Sequence, residues 1–190
     1  MSGPGVATVT VLIVPGLRDH VPGHWQTILE EELPKAACVP RLGRDNLSCE
    51  AWVAAVDGAL AAIDGPVVLA AHSAGVIMVA HWAARHSRPI RGALLATPPD
   101  LETPLPQGYP TLDALRANGW MPAPRARLPF PSVVVASRND PLARFDCATE
   151  LARDWGSRVV DAGEVGHLNP AAGFGRWDRA LGLVDELSRA

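Results

Sequence analysis

An α/β fold built on a parallel, doubly wound sheet follows from three features of this 190-residue sequence. Six short runs rich in Val, Leu, Ile and Ala recur along the chain, separated by segments of helical periodicity. The best defined runs, Thr8–Val14, Val67–His72 and Ser132–Ser137, are almost unbroken in apolar character, as strands covered on both faces must be. Most runs end in turn-forming residues, so the loops that carry ligand chemistry in such folds collect at the carboxyl ends of the strands. The predicted strand order is 2-1-3-4-5-6, with helices on both faces, and residues 1–190 are long enough to form one domain with a real core.

The first strand stops at Pro15-Gly16, and the loop to Trp25 precedes a helix in which Trp25, Ile28, Leu29 and Leu33 recur at helical spacing until Pro34. Ala36–Val39 is a short second strand at the sheet edge. Trp52, Val53, Val56, Leu60 and Ile63 then make a helical face that begins near Ser48 and closes at Gly65. After the third strand a helix runs over Val76–His86, where His81 and His86 suit the surface or the negative helix end. Ile90–Thr97 is the fourth strand. The proline-rich stretch from Pro98 to Pro131 holds one helical fragment, Thr111–Ala117, and reads either as a small cap over the site or as a disordered surface loop. The fifth strand leads to Arg138-Asn139-Asp140-Pro141 and a helix over Ala143–Trp155. A short sixth strand, Arg158–Asp161, precedes the loop Gly163–Asn169, and a last helix spans Gly175–Ser188.

Composition removes several classes of function. Net charge is -3, and the single Lys35 and the arginines are scattered, so no basic face for nucleic acid is advertised. No apolar run is long enough to cross a bilayer and the first residues lack a signal-peptide pattern, which makes the cytoplasm the expected location. Cys38, Cys49 and Cys147 form no Cys-x-x-Cys pair and have no histidine at zinc-finger spacing, so neither a metal site nor a disulfide framework is expected. The loop after the first strand lacks the glycine or Lys-Ser/Thr signatures of nucleotide binding.

The chemistry centres on Ala71-His72-Ser73-Ala74-Gly75, where an apolar strand meets an apolar helix at one hydroxyl among small residues. A nucleophile on such a bend needs small neighbours to clear the crossing backbone, although a serine capping the helix gives a similar pattern. Asp140 and His167 also fall just past predicted strands, so Ser73, Asp140 and His167 share one rim in the chain order of an α/β-hydrolase triad. His167 would be the base and Asp140 its orienter, with Asp161 and Glu164 as alternatives to Asp140. Ala74 N–H supplies one oxyanion donor, and Leu17, or Arg18 one residue on, the other. His24 and Trp25, with His20, are candidates for the pocket wall, while His72 supports the elbow.

These residues carry a resemblance. Val14-Pro15-Gly16 with Gly23-His24-Trp25-Gln26, the elbow itself, Ser137-Arg138-Asn139-Asp140-Pro141, and Gly166-His167-Leu168-Asn169 with Gly173-Phe174-Gly175-Arg176-Trp177 together resemble the YdeN-type serine hydrolases, which include the retinoblastoma-binding protein nine group. The resemblance implies a compact α/β-hydrolase fold without a large lid, Ser-Asp-His catalysis at Ser73, Asp140 and His167, and no cofactor. The sequence departs from the family at Ala71, where glycine is usual, and at Arg18-Asp19-His20. The expected substrate is a small ester, thioester or amide. A protein-binding module on the same scaffold is the alternative, suggested by relatives named for a partner and by six tryptophans, some of them exposed. Epoxide or haloalkane chemistry would need a carboxylate in place of Ser73.

Overall fold

Alternating side chains explain how the apolar runs are buried on both sides. In β1 (Thr10–Val14) and β3 (Val67–His72), Leu12, Val14, Val67, Leu69 and Ala71 face one layer, while Val11, Ile13, Val68 and Ala70 face the other. The computed structural model describes residues 8–18, 20–43 and 45–190. Asp19, within the departure from the family pattern, and Arg44 lie outside them. The remaining strands are β2 (Ala36–Cys38), β4 (Gly92–Ala96), β5 (Ser132–Ala136) and β6 (Arg158–Asp161). All six pair in parallel in the order β2-β1-β3-β4-β5-β6, which is the order the sequence predicts.

Helices α2 (Cys49–Ala61), α3 (Ala74–Ala83) and α5 (Phe145–Trp155) cover the first layer, together with the short α4 (Leu112–Ala117). Helices α1 (Trp25–Glu32) and α6 (Asp178–Ser188) cover the second. Local chemistry sets their ends: Ser48 Oγ accepts from Ala51 N–H, Thr111 Oγ1 from Ala114 N–H, and Gly156 closes α5 in the left-handed region at φ 70°. None of the described helices is long and apolar enough to cross a membrane.

Several boundaries differ from the sequence reading. Helix α3 starts directly at Ala74 and ends at Ala83, and α6 starts at Asp178, because Gly173, at φ 83°, breaks the chain direction before Trp177. His81 is buried rather than at the surface: the 98–131 segment folds over α3 and brings the Trp120 carbonyl to 3.2 Å from His81 Nε2. The tryptophans expected at the surface are not there. Trp25, Trp52, Trp82, Trp120 and Trp155 are fully buried and Trp177 is half-buried, because each lies on the inward phase of a helix or loop.

The 98–131 segment is anchored as a cap. Leu101, Leu115, Trp120, Leu128 and Phe130 join the first core layer, and Trp120 Nε1 donates to the Leu47 carbonyl at 2.7 Å. At the far sheet edge, β6 is mostly exposed and flanked by the ion pairs Arg158–Glu186 and Arg138–Asp161. Removing the Trp120 side chain empties its site and strips the Leu47 carbonyl of its donor. Trp120→Ala is expected to lower stability by about 3–5 kcal/mol, read from urea unfolding monitored by circular dichroism.

Candidate active site

Ser73 is the only residue between β3 and α3, and it sits at φ 55° and ψ -131°. Such a conformation is costly for a residue with a Cβ and persists only where its surroundings enforce it. Here they do. A Cβ on Gly75 would lie 2.3 Å from the Val14 carbonyl oxygen, and one on Gly16 would lie 3.1 Å from Ser73 Cβ, so the start of α3 crosses directly over the end of β1. Ala71, in the usual glycine position, is accommodated fully buried in the first core layer. The Ser73 hydroxyl makes no cap to α3 and lies instead 2.8 Å from His167 Nε2.

His167 and Asp140 complete a hydrogen-bond chain. His167 Nδ1 is 2.9 Å from both carboxylate oxygens of Asp140, and both side chains are almost fully buried. Asp140 also accepts from Leu142 N–H at 2.8 Å, which fixes the carboxylate plane. The alternative orienters lie elsewhere: Asp161 pairs with Arg138 and accepts from Gly163 N–H, and Glu164 is exposed. The guanidinium of Arg138 holds the Asp161 carboxyl below the usual carboxylate range.

Two supports escaped the sequence reading. Asn139 Oδ1 accepts from Ser137 Oγ and from Gly166 N–H at 2.6 Å, tying the turn after β5 to the loop that presents His167. Gln26 is buried and its Nε2 donates to the carbonyls of Val14 and Ala70, joining β1 and β3 immediately before the elbow. The only sequence signal for either was its place beside a singled-out residue.

Behind His167 lies a layer of imidazoles. His72 Nε2 is 2.8 Å from the His167 carbonyl, so this nitrogen carries the proton and donates. The His24 ring stands 4.6 Å from His72 and its Nδ1 accepts from Gln26 N–H, capping α1. Burial pushes His72 well below the ordinary imidazole value and His24 down to about 4, and the nearby positive form of His167 adds to both shifts. Trp25 is not on the pocket wall. It packs edge-on against Trp177 and His72 inside the second layer, because α1 turns it inward with Leu29.

The Ser73 hydroxyl opens into a cavity of about 770 Å3 that Leu17, Arg18, His24 and Ala74 also line. Its far wall comes from the cap, chiefly Leu101, Leu105, Tyr109, Leu115 and Trp120. The Arg18 guanidinium lies 4.8 Å from the centre of the Tyr109 ring, bridging the loop after β1 to the cap. Ala74 is the first residue of α3, so its N–H has no intrahelical acceptor, and the Leu17 N–H has no acceptor among the described residues.

The sequence model for serine hydrolases matches residues 11–186, which takes in the sheet from the second residue of β1 onward and all the site residues just described. The chain belongs to the serine hydrolase family. Among solved structures, this serine hydrolase is similar to a protein designated a YdeN-like hydrolase from Pectobacterium atrosepticum, at 30% identity and a TM-score of 0.82, over 95% of this chain and 91% of that one. The YdeN gene product of Bacillus subtilis shares the fold at 17% identity and a TM-score of 0.78, over 96% and 100% of the two chains. Est1E of Butyrivibrio proteoclasticus, in a structure with ferulic acid bound, shares it at 15% identity and a TM-score of 0.68, over 96% and 87%. Among curated proteins, none matches the chain in sequence.

The buried imidazoles make stability depend on pH. The folded pKa of His24 lies below the ordinary imidazole value of 6.5, at about 4, so the unfolded chain binds more protons between those values and stability falls as pH is lowered through that window. His72 acts in the same direction. Melting temperature is expected to drop on acidification across this range, and His24→Gln to make the drop shallower.

Proposed function

We propose that this serine hydrolase cleaves a carboxylic ester, thioester or amide through an acyl-enzyme on Ser73. One observation carries the reading: a strained Ser73, a buried imidazole at 2.8 Å and a carboxylate at 2.9 Å behind it open onto a cavity lined by Leu17 and Ala74, whose backbone N–H groups have no acceptor among the described residues. A serine hydroxyl is a weak nucleophile until a base takes its proton. In this reading Ser73 Oγ attacks the substrate carbonyl carbon while His167 Nε2 takes the hydroxyl proton, and Asp140 holds the Nδ1–H and stabilises the imidazolium. The oxyanion is received by the N–H groups of Ala74 and Leu17. His167 returns the proton to the leaving group, water then attacks the acyl carbon, and Ser73 is released with a free carboxylic acid.

His72 and His24 serve this cycle by staying neutral. With both pushed toward the neutral form, the positive charge that forms during turnover stays on His167, the imidazole bonded to Asp140. The cavity supports a substrate with a sizeable apolar portion, since Leu17, Leu101, Leu105, Leu115 and Leu142 offer no charge to an acyl or alkoxy group. Arg18 and Tyr109 are the polar exceptions at the cap side.

Three measurements test the reading. A fluorophosphonate is expected to add once per wild-type chain, by intact mass, and not at all to Ser73→Ala; an adduct that survives the substitution overturns the assignment. Removing a triad member leaves only residual rate, so Ser73→Ala and His167→Ala should each lower kcat by at least about 1,000-fold. With p-nitrophenyl esters of graded length, kcat/KM is expected to rise from acetate toward medium chains, and Leu105→Trp, which fills the cavity from the cap, to shift the preference toward short ones.

A further inference from the structure

Three potential metal ligands converge outside the cavity, on elements the sequence keeps apart. His20 comes from the loop after β1, Glu30 from α1, and Cys38 from the last position of edge strand β2. Ring nitrogen, carboxylate oxygen and sulfur all lie within 4.8 Å of one another. His20 Nε2 touches Cys38 Sγ, and His20 Nδ1 is 3.8 Å from Glu30 Oε2. The spacing of these residues resembles no zinc-finger pattern, and so only the fold assembles them.

Two chemistries fit a thiol, an imidazole and a carboxylate in contact. One is a relay, with thiol and carboxylate on opposite edges of the ring. Hydrogen bonds of about 3 Å on both ring nitrogens would then hold sulfur and oxygen roughly 7 Å apart. The other is a shared cation, for which the three donors must face one point. Bond lengths of about 2.0 Å to nitrogen and oxygen and 2.3 Å to sulfur set donor separations in a tetrahedral site near 3–4 Å. The sulfur-to-oxygen separation here, within 4.8 Å, is too short for the extended relay and lies closer to the tetrahedral value. We infer that His20, Glu30 and Cys38 form a binding site for a borderline divalent cation of the zinc class.

The donor set selects the metal class: a thiolate and an imidazole disfavour magnesium and calcium, while one carboxylate is tolerated by zinc and cobalt. Binding replaces the Cys38 thiol proton with a metal–sulfur bond and releases that proton to solvent. The other thiols have no such setting. Burial raises Cys49 to about 11, and burial together with neighbouring Asp100 raises Cys147. The position carries a consequence that rests on the proposed hydrolase reading: His20 and Leu17 share one loop, so the cation would brace the oxyanion donor against β2 and α1.

The test uses the reduced full chain, titrated with Zn2+ by calorimetry and with Co2+ by absorption. One cation per chain is expected, with a thiolate-to-cobalt charge-transfer band. Cys38→Ser should abolish that band, and Cys38→Ser, His20→Ala and Glu30→Gln should each weaken Zn2+ binding by more than about tenfold. Cys49→Ser and Cys147→Ser should bind as wild type does. Ser73→Ala should also bind unchanged, which separates the metal site from the hydrolase reading. If Cys38→Ser fails to fold, alkylation of Cys38 in the native protein replaces it, with the same loss expected. No band in the wild type, a band that survives loss of the Cys38 thiol, or equal Zn2+ affinity in wild type and His20→Ala overturns the site.

Discussion

The close crossing of α3 over the end of β1 governs the rest of the molecule. Gly75 brings its backbone so near the carbonyls of Val14 and Pro15 that no side chain fits between them, and this contact holds Ser73 at a positive φ. Strain of this kind needs a rigid frame. Two devices supply it: the parallel pairing of β1 with β3 along all of β1, and Gln26, which donates to the carbonyls of Val14 and Ala70. Two further non-glycine residues with positive φ, Thr97 after β4 and Leu168 after His167, lie on the same rim. Backbone strain is thus concentrated where the side chains of the site are aimed.

The His167 loop is held through main-chain atoms. Asn139 takes Gly166 N–H from one side, and His72 donates to the His167 carbonyl from the other. Gly166 stands at φ 56° with Ala172 so close that a Cβ would lie 2.7 Å from it, so this turn is fixed as firmly as the elbow. The imidazole ring then has few ways to rotate, and the buried Asp140 selects its orientation. Precision at the Ser73–His167 contact comes from these backbone anchors as much as from the three side chains that meet.

Strand positions, and with them the sheet order, were legible in the sequence chiefly because strands buried on both faces, such as β1, β3 and β5, leave continuous apolar runs. The rim positions of Ser73, Asp140 and His167 followed from the same runs, since Ser73 directly follows one and the other two stand in the loops that begin where a run ends. Helix starts were less legible: the last helix, expected from Gly175, begins at Asp178, after the backbone turns at Gly173. Trp25 was misread because a tryptophan beside a glycine-rich loop suits a pocket wall as well as a core, and only the phase of α1 decides between them. His81 was misread because what buries it, Trp120, belongs to a segment without periodicity. Asn139 and Gln26 bond to backbone groups of distant residues, and residue spacing carries no information about those.

The exposed strand β6 bears on what this sheet does beside other molecules. An edge strand offers unpaired N–H and C=O groups as a template for foreign chains. Here both ends of the strand carry charge, with Arg158 held to Glu186 and Asp161 to Arg138, and the intervening Val159 is the one large hydrophobic residue left open among the described residues. A strand docking alongside would have to displace or dehydrate these ion pairs for the sake of one valine. The parallel sheet is therefore guarded against templated aggregation at this edge, without a covering helix or a closing strand.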